Sequence, residues 1–303
     1  MLFLKLKKIK KYVILFPILS ITPINSEKVT IHNEKDLINT ISKVNNNELV
    51  INIPKETIEI SSNIEISNNY KSLSIVGISK ELSKLKLNEE TSSLIFNSSV
   101  SQIKIENLSI EGHLNFKKYS KIESNEKIDN CIDLSGKVII NESFFYGSHS
   151  CKDSIINYNG SNDGSFNLTK SYFDGVYLNN CLSITNSNSA FIESSNFEKG
   201  ASYDDDNGGG AIRLIDSNLN IRDCQFKDNF SSKNGGVFYV NEGKSFNAIN
   251  IKAYNSSALE KGGLIYITSM NDIYASLTNI EYYEAGNING NLKNIEFEGL
   301  IAR

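Results

Sequence analysis

A short pattern with two glycines recurs three times in the C-terminal third of this chain, at a nearly constant spacing. The copies begin at Asn207, Lys233 and Glu260, so they lie 26 and 27 residues apart. In each copy the glycines lead into a short apolar segment. A fixed period of this length is typical of stacked supersecondary units rather than of one closed globule.

The apolar segment can be followed upstream of the point where the glycines stop. Its copies begin 24, 26, 30, 26 and 27 residues apart, at Cys131, Ile155, Cys181, Ala211, Val237 and Leu264. A second apolar segment follows each one after 9 to 13 residues, anchored at Ile140, Leu168, Ile192, Ile221, Ala248 and Leu277. Earlier in the chain Leu94 pairs with Ile105 in the same way, and Ile64 with Ile75. The repeat therefore gives about eight turns.

Within each turn the apolar residues alternate with period two, which indicates strands rather than helices. In the first strand of each turn, one column must face away from the apolar side, and it consists of Asp133, Asn157, Ser183, Arg213, Tyr239 and Tyr266. Five residues beyond the first four anchors of the second strand lie Phe145, Phe173, Phe197 and Phe226. We expect these phenylalanines to stack inside the molecule.

Short strands at this period favour a solenoid over an antiparallel barrel or sandwich. In a parallel β-helix each coil bonds to the next at a strand spacing of about 4.8 Å, so like residues stack in columns. An up-and-down barrel also has short alternating strands, but it has no reason to repeat inward residue types at one long period. The sequence therefore predicts an all-β, single-stranded parallel β-helix, and eight coils would make a rod about 40 Å long.

The repeated motifs also carry a family resemblance. The Gly-Gly pairs followed by Ala, Val or Leu, and the segment Phe-Lys-Asp-Asn at residues 226–229, resemble the Gly-Gly-Ala and Phe-x-x-Asn repeats of the polymorphic outer-membrane-protein family. The first element is matched three times over residues 207–267, and the second is matched fully once. More broadly, most of the chain resembles the pectate-lyase-like superfamily. That resemblance implies a right-handed parallel β-helix.

Residues 1–26 are expected to be a secretory signal peptide. Five lysines precede an apolar run of about 13 residues at positions 12–24, which Pro17 and Pro23 interrupt. This run is shorter than the roughly 20 residues of a membrane span, although an uncleaved N-terminal anchor is the alternative. We therefore expect a secreted, extracellular or cell-surface protein without a transmembrane span once the signal is removed.

The rest of the chain divides into a cap and the repeats. Residues 27–53 read as a strand and a short capping helix, and residues 54–303 as the β-helix. Asn33 is the expected N-cap of the helix, whose apolar face is formed by Leu37, Ile38, Ile41 and Val44. A cap of this kind covers the open end of a solenoid core.

The C-terminal end shows no comparable cap in the sequence. Residues 288–303 supply two further short strands, but neither a helix nor a polar outer coil. A last coil with free strand edges invites another chain, so the molecule could associate end to end. The other readings are that the last strands fold over the core, or that the gene model is cut short.

Charge and cysteine content exclude some classes of protein. The net charge of -4 has no strong asymmetry, and no basic stripe is interleaved with aromatic residues, so we expect no nucleic-acid partner. The sequence has four cysteines, Cys131, Cys151, Cys181 and Cys224. Cys131 and Cys181 share a column two coils apart, near 10 Å, which is beyond the roughly 7 Å limit for a disulfide. We expect unpaired, mostly buried thiols.

A catalytic site is not evident in the sequence. The resemblance implies polysaccharide-cleaving relatives, whose chemistry needs paired acids or a calcium ion with a basic residue. The characteristic blocks of polygalacturonases and pectate lyases are missing, and the histidines, His32, His113 and His149, lie in other contexts. Whether the chain is an enzyme stays open, with a non-enzyme favoured. No cofactor is expected.

One acidic run is a weak candidate for a metal site. Asp204, Asp205 and Asp206 are consecutive, and hard cations such as Ca²⁺ prefer several oxygen ligands. Three consecutive acids cannot all point at one ion, however, so a solvated loop is the favoured reading.

The outward column of the first strand is the best candidate for ligand binding. It ends in Arg213, Tyr239 and Tyr266 on neighbouring coils, which would offer stacking faces to a polysaccharide or a cell-surface protein. The alternative is that these tyrosines merely fill strand positions they favour. The sequence therefore predicts a binding, adhesion or structural protein, and a divergent polysaccharide lyase or glycoside hydrolase acting on pectin-like substrates as the alternative.

Overall fold

The computed structural model describes residues 26–43, 48–66, 70–87, 92–96, 102–111, 113–116, 132–147, 149, 151, 153–160, 164–203, 208–284, 286–287 and 294–302. These residues form an all-β parallel solenoid of about seven turns with one short helix. The predicted fold class is therefore confirmed, although about eight coils were predicted and the described residues form about seven turns. No helix within the described ranges is long and apolar enough to cross a membrane.

The elements follow one another in short segments. The N-terminal part contains β1 (Ser26–Thr30), α1 (Glu34–Lys43), β2 (Glu48–Ile53), β3 (Thr57–Ile60), β4 (Asn63–Ile66), β5 (Ser72–Gly77), β6 (Lys84–Leu87), β7 (Ser93–Phe96), β8 (Gln102–Glu106), β9 (Ser109–Glu111) and β10 (His113–Phe116). The middle part contains β11 (Ile132–Ser135), β12 (Lys137–Asn141), β13 (Phe144–Tyr146), β14 (Ser154–Asn159), β15 (Ser165–Thr169), β16 (Tyr172–Asp174), β17 (Asn180–Thr185), β18 (Ala190–Glu193), β19 (Asn196–Glu198) and β20 (Ala201–Ser202). The last part contains β21 (Ile212–Ile215), β22 (Leu219–Lys227), β23 (Phe230–Ser231), β24 (Phe238–Asn241), β25 (Ser245–Tyr254), β26 (Ser257–Ala258), β27 (Ile265–Tyr283), β28 (Gly286–Asn287) and β29 (Ile295–Ala302).

The strands stack into three parallel ladders, which we call faces one, two and three. Face one consists of β4, β7, β10, β11, β14, β17, β21, β24, the start of β27 and β29. Face two consists of β1, β2, β5, β8, β12, β15, β18, the starts of β22 and β25, and the middle of β27. Face three consists of β3, β6, β9, β13, β16, β19 and the ends of β22, β25 and β27. The sequence predicted faces one and two as the two strands of each turn, and face three carries the phenylalanines.

Two features depart from this regular plan. A separate small sheet of β20, β23, β26 and β28 lies on the connections from face three to face one. Face one also has an additional strand, since β10 lies between β7 and β11 whereas β8 pairs directly with β12. Connections therefore differ from turn to turn, although the ladders stay in register.

The core is built from the predicted inward columns. On face one, Ile132 pairs with Ile156, and the same column continues through Leu182 and Ile212. The four phenylalanines on face three stack with successive ring centroids 4.8, 4.9 and 5.0 Å apart, as Phe145, Phe173, Phe197 and Phe226. Each buried ring stabilises the fold by about 1.5–3 kcal/mol through burial, and each stacked pair adds about 0.5–1.5 kcal/mol.

The corner between faces two and three contains several of the serine and asparagine residues. A serine ladder runs along its inner side, where the Ser143 and Ser171 amides each donate to the next serine hydroxyl at 3.1 Å. Cys224 takes the next position and its sulfur accepts from the Ser195 amide at 3.5 Å. The residue before each of these four has a positive φ, and so have the residues at the same corner in the next two coils: Glu142, Lys170, Ser194, Asp223, Asn250 and Asn279. Asparagine and aspartate tolerate this left-handed backbone better than most residues.

The N-terminal helix forms where the sequence places it. Its N-cap is Asn33, whose side-chain oxygen accepts from the Asp36 amide at 2.9 Å. Leu37 and Ile41 pack into the core, but Ile38 is 41% exposed and Thr40 is buried in its place. Ile38 lies at the edge of the apolar stripe, so the predicted face was one position too wide. Val44 lies outside the described residues, and the boundary between cap and repeats stays a prediction.

At the other end, the core column of face three stops at an exposed residue. The phenylalanine column continues through Ala253 to Tyr282, which is 45% exposed although it occupies an inward position. Among the described strands, β29 pairs with β27 only along face one and the start of face two. The edge of β27 on face three therefore has no described partner strand. End-to-end association at this edge stays a prediction.

The cysteine prediction is confirmed for two residues and wrong for one. Cys181 and Cys224 are free and buried, and burial raises the pKa of the Cys224 thiol to about 12. Cys151 is disulfide-bonded. It lies on the connection between β13 and β14, where a loop is not held at the coil spacing that argued against pairing. Cys131 lies outside the described residues.

Candidate functional site

The column predicted to bind a ligand is formed, but it is not accessible. Arg213, Tyr239 and Tyr266 are successive register partners on face one, and the two tyrosine rings stack at 5.8 Å. None of the three belongs to the hydrophobic core cluster. Their exposed fractions are nevertheless only 3%, 5% and 5%. The expectation that this column faces solvent is wrong, and ligand binding by these residues stays a prediction.

Arg213 is buried because it holds two connections in place. Its Nε donates to the Gly208 carbonyl at 3.0 Å, and Nη2 donates to the Ser202 hydroxyl at 3.0 Å. Nη1 pairs with the Asp153 carboxylate at 2.6 Å, from two coils earlier. The guanidinium therefore links the connection before β14 to the long connection before β21, which is a structural role.

The repeated glycines cover the two tyrosines. Gly209, Gly235 and Gly262 all have positive φ, a conformation that glycine adopts at no steric cost. A side chain on Gly209 would meet the Tyr239 Cβ at 3.1 Å, and one on Gly262 would meet the Tyr266 Cβ at 2.9 Å. The backbone of each Gly-Gly segment thus lies directly against a tyrosine. The Gly-Gly motif allows this close approach between the backbone and the tyrosine side chain.

The asparagine of the Phe-x-x-Asn segment fixes the start of the same connections. Asn229 is buried, its side-chain oxygen accepts from the Gly200 amide at 2.9 Å, and its amide nitrogen donates to the Phe197 carbonyl at 3.1 Å. These bonds join the corner after face three in two neighbouring coils. They stabilise the start of the connections that run from face three over face one.

Tyr266 is covered at the C-terminal end by a charged pair. The Glu298 carboxylate accepts hydrogen bonds from the Lys261 ammonium and from the Tyr266 hydroxyl. Burial and the Glu298 contact raise the pKa of the Tyr266 hydroxyl, and these partners hold the pKa of Glu298 below its usual value, the Lys261 hydrogen bond most strongly. The cluster is satisfied and closes the column.

The structure does not test the predicted metal site in the acidic run. Asp204, Asp205 and Asp206 lie outside the described residues, so a calcium site there stays a prediction. Within the described ranges, no group of three or more His, Cys, Asp or Glu side chains is arranged to hold a metal ion.

Face three carries solvent-exposed aromatic side chains, whereas the tyrosines of face one are buried. Two outward columns flank the inward column of face three on β13, β16, β19, β22, β25 and β27. One column consists of Tyr146, Asp174, Glu198, Lys227, Tyr254 and Tyr283. The other consists of Phe144, Tyr172, Asn196, Gln225, Lys252 and Glu281. Together with Tyr177 and Tyr203 on the adjoining connections, we call these columns the tyrosine face.

Aromatic rings lie at both ends of the tyrosine face. At one end Phe144 stacks on Tyr172 with centroids 4.2 Å apart, and Tyr146 contacts Phe144 at 4.4 Å. At the other end Tyr254 and Tyr283 stack at 5.3 Å and are nearly parallel. The column from Tyr146 to Tyr283 spans five coil steps, about 24 Å at the strand spacing.

Charged groups occupy the middle of the tyrosine face. Asp174 and Glu198 are register partners on neighbouring coils, and Asp174 is only 8% exposed. The Lys199 ammonium pairs with Asp174 at 3.2 Å, and this hydrogen bond raises the pKa of Lys199. The Tyr172 hydroxyl donates to Glu198 at 2.8 Å. Burial first, and then Glu198, raise the pKa of the Tyr172 hydroxyl.

A strained turn places a tyrosine beside these charges. Val176 and Tyr177 are consecutive residues with φ of 46° and 57°, which is unfavourable for bulky and β-branched side chains. The turn is held by bonds from the Val176 amide to Asp174 Oδ1 at 2.9 Å and from the Tyr177 amide to the Lys199 carbonyl at 2.9 Å. Backbone strain of this kind clusters at functional sites.

The ring of a second tyrosine stands next to that turn. Tyr203 is 57% exposed, and its hydroxyl donates to the Tyr177 carbonyl at 3.0 Å. Its ring lies 6.0 Å from Phe230 on the next coil. The strained turn and Tyr203 thus present two half-exposed rings at a fixed separation from Asp174 and Lys199.

Sequence reasoning missed the tyrosine face because it followed only the phenylalanines of this strand. The signal was present in the residues on either side of each inward phenylalanine, which must point outward by alternation. Read that way, Phe144 and Tyr146 flank Phe145, and Tyr172 and Asp174 flank Phe173. The strained turn at Val176 had no sequence signal.

Comparisons with known proteins add little to this geometry. No protein-family model matches the sequence, and no curated protein matches it. Among solved structures, the chain is similar to an alginate lyase from Paenibacillus sp. str. FPU-7, with 12% sequence identity and a TM-score of 0.45 over 91% of this chain and 99% of that one. At these values the likeness assigns neither a family nor an activity. The resemblance to outer-membrane-protein repeats stays a prediction.

Proposed function

We propose that this protein binds an extended polysaccharide along the tyrosine face. The observation that carries the proposal is the straight row of aromatic and charged side chains that the parallel ladder repeats at each coil. A polymer lying along the solenoid axis would meet a ring or a polar group at every step of about 4.8 Å. Tyrosine suits such a ligand because its ring stacks on an apolar sugar face while its hydroxyl forms hydrogen bonds.

The rigidity of the surface supports the proposal. Each outward side chain stands on a strand that is paired on both sides, from β16 to β25. Hydrogen bonds fix the Tyr172 and Tyr203 hydroxyls before any ligand arrives. A ligand that binds such a surface loses its own freedom but imposes little ordering on the protein.

The distribution of apolar groups favours a polysaccharide over a protein partner. The cores of protein interfaces are depleted of charge and enriched in aromatic residues. Here Asp174, Glu198 and Lys199 lie between the two aromatic ends, so the middle of the surface is the most charged part. Hydroxyl-rich sugars can use these groups as hydrogen-bond partners.

Secretion and an adhesive role belong to the same proposal. A chain that binds polysaccharides at a cell surface would need export, for which residues 1–26 are the candidate signal. A purely structural rod is the reading that remains if the tyrosine face binds nothing.

A second candidate function is cleavage of the bound polysaccharide. Asp174 and Glu198 are two carboxylates on neighbouring coils, and a protonated Tyr172 hydroxyl contacts Glu198 at 2.8 Å. Paired carboxylates and a proton donor are the groups that glycoside cleavage uses. Asp174 is however buried and engaged by Lys199. The raised pKa of Tyr172 also makes its hydroxyl a poor acid at neutral pH, so binding without cleavage is favoured.

Retention on immobilised polysaccharides would test both candidates. We expect the protein to be retained on at least one polymer without releasing reducing or unsaturated ends. The Tyr203→Ala, Tyr254→Ala double variant removes a ring from the middle and one from the end of the row. It should bind about tenfold more weakly, which corresponds to about 1.4 kcal/mol.

The matched control is Tyr274→Ala. Tyr274 is 60% exposed, but it lies on face two, outside the tyrosine face. Binding should be unchanged in this variant. Equal losses in both variants, or no retention on any polymer, would contradict the proposal. Released chain ends that disappear with Glu198→Gln would favour the cleaving enzyme instead.

A further inference from the structure

The charges of the tyrosine face bear on which polysaccharide it accepts, and this inference rests on the proposed function. Apart from Lys80 at one end, four lysines among the described residues lie on or beside the face, and each is paired with an acid. The pairs are Lys170 with Glu142 at 3.5 Å, Lys199 with Asp174 at 3.2 Å, Lys227 with Asp228 at 3.9 Å, and Lys252 with Glu281 at 3.4 Å. Each positive charge on this part of the face is therefore already matched.

One acid on the face has an uncharged partner. The Glu198 carboxylate accepts its hydrogen bond from the Tyr172 hydroxyl. Since the four lysines are balanced by four acids, Glu198 leaves the middle of the face with an excess negative charge. Lys80 lies over the Phe144 ring at 5.8 Å, and so places its charge at the end of the row rather than in the middle.

We infer that the tyrosine face selects uncharged polysaccharides and rejects polyuronates. A polyuronate carries one carboxylate per sugar, so a polymer along this row would bring like charges next to Glu198, whereas Asp174 is 8% exposed and already paired with Lys199. Like charges placed opposite one another at an interface suppress the wrong partner. An uncharged polymer meets the same acids as hydrogen-bond acceptors for its hydroxyl groups, without repulsion.

The Asp174 and Lys199 pair is the selecting element. Lys199 lies in the middle of the row, beside Tyr177, and would be the natural partner of a sugar carboxylate if it were free. Asp174 prevents this by holding the ammonium at 3.2 Å with one carboxylate oxygen, while the other accepts from the Val176 amide at 2.9 Å. Asp174 thus has two roles: it neutralises Lys199, and it supports the strained turn at Val176.

The Asp174→Asn variant tests the selection as a gain of binding. Asparagine keeps the Oδ1 acceptor for the Val176 amide but removes the charge that holds Lys199. The probes are electrophoresis gels that contain xylan, mixed-linkage β-glucan, alginate or polygalacturonate. The full chain should be retarded by an uncharged polymer and not by the polyuronates. In Asp174→Asn, retardation by the polyuronates should rise about threefold and should weaken again at high salt.

The matched control is Glu142→Gln, which makes the same change of charge at the edge of the face. It releases Lys170, whose side chain is 65% exposed on the corner before β16. We expect little gain of polyuronate binding from it. Equal gains in both variants would mean that net charge alone acts, and would overturn the role of Asp174. Thermal melting of both variants shows whether they fold like the parent.

The outcomes separate this inference from the proposed function. Retardation of the parent chain by a polyuronate as strong as that by any uncharged polymer would overturn the inference alone, since binding itself would stand. Retardation by none of the four polymers would overturn the proposed function and the inference with it.

Discussion

Faces one and three both carry outward columns rich in tyrosine, yet only face three offers them to solvent. On face one, Tyr239 and Tyr266 lie under glycine-rich connections and are each 5% exposed. On face three, Tyr254 and Tyr283 are 36% and 54% exposed. Alternation along a strand decides which side chains leave the core. Whether they reach water depends on the path of the next connection.

The covered column should behave as part of the structure. Arg213→Met removes the guanidinium that joins Asp153, Ser202 and Gly208. The oxygen atoms of these three residues then lose that hydrogen-bond donor. Breaking a buried, hydrogen-bonded ion pair costs about 3 kcal/mol. Urea unfolding at neutral pH should show a loss of that size.

The control for this comparison is Arg222→Met. Arg222 pairs with Glu193 at 2.6 Å, but its side chain is 50% exposed. An exposed pair of this kind contributes about 1 kcal/mol or less. If both arginine variants lost the same stability, the distinction between the covered and the open column would not hold.

The connections that make the cover should also be sensitive. Asn229→Ala removes two buried hydrogen bonds, to the Gly200 amide and the Phe197 carbonyl. We expect a loss of about 2 kcal/mol, because buried backbone groups are left unsatisfied. Asn247→Ala, which removes an exposed side-chain bond to Asn220 at 3.2 Å, should change the free energy of unfolding by less than about 0.5 kcal/mol. Urea unfolding of both variants makes the measurement.

The smallest effect is a dependence on pH at the end of the covered column. Lys261 and Tyr266 hold the pKa of Glu298 below its usual value. A lowered pKa in the folded state stabilises the protein above the unfolded value of about 4.3, and this stability is lost as pH falls through the folded pKa. Both charged side chains are more than a third exposed, so we expect less than about 1 kcal/mol.

The Glu298→Gln variant isolates this contribution. It should be slightly less stable than the parent at pH 7, and the difference should shrink when the solution is acidified to pH 3. The measurement is the midpoint of urea unfolding at both pH values. A difference that persists in acid would mean that Glu298 acts through packing rather than through its charge.

Much of this fold could be predicted because its determinants are periodic. The inward columns, the phenylalanine stack and the helix cap at Asn33 all depend on residues a fixed distance apart, which a sequence displays directly. The candidate site was harder to predict from the sequence. It depends on which of several outward columns a connection covers, and the predicted residues Arg213, Tyr239 and Tyr266 lie on the covered one.

The sequence by itself determined the period, the direction in which each strand residue points and the need for glycine at the close approaches. Each of these is local, because alternation and left-handed backbone act over a few residues. Only the tertiary structure decided that face one is covered and face three is open, that Cys151 forms a disulfide, and that Asp174 neutralises Lys199. These depend on contacts between coils 24 or more residues apart along the chain, and no local pattern records which of two outward surfaces a loop will cross.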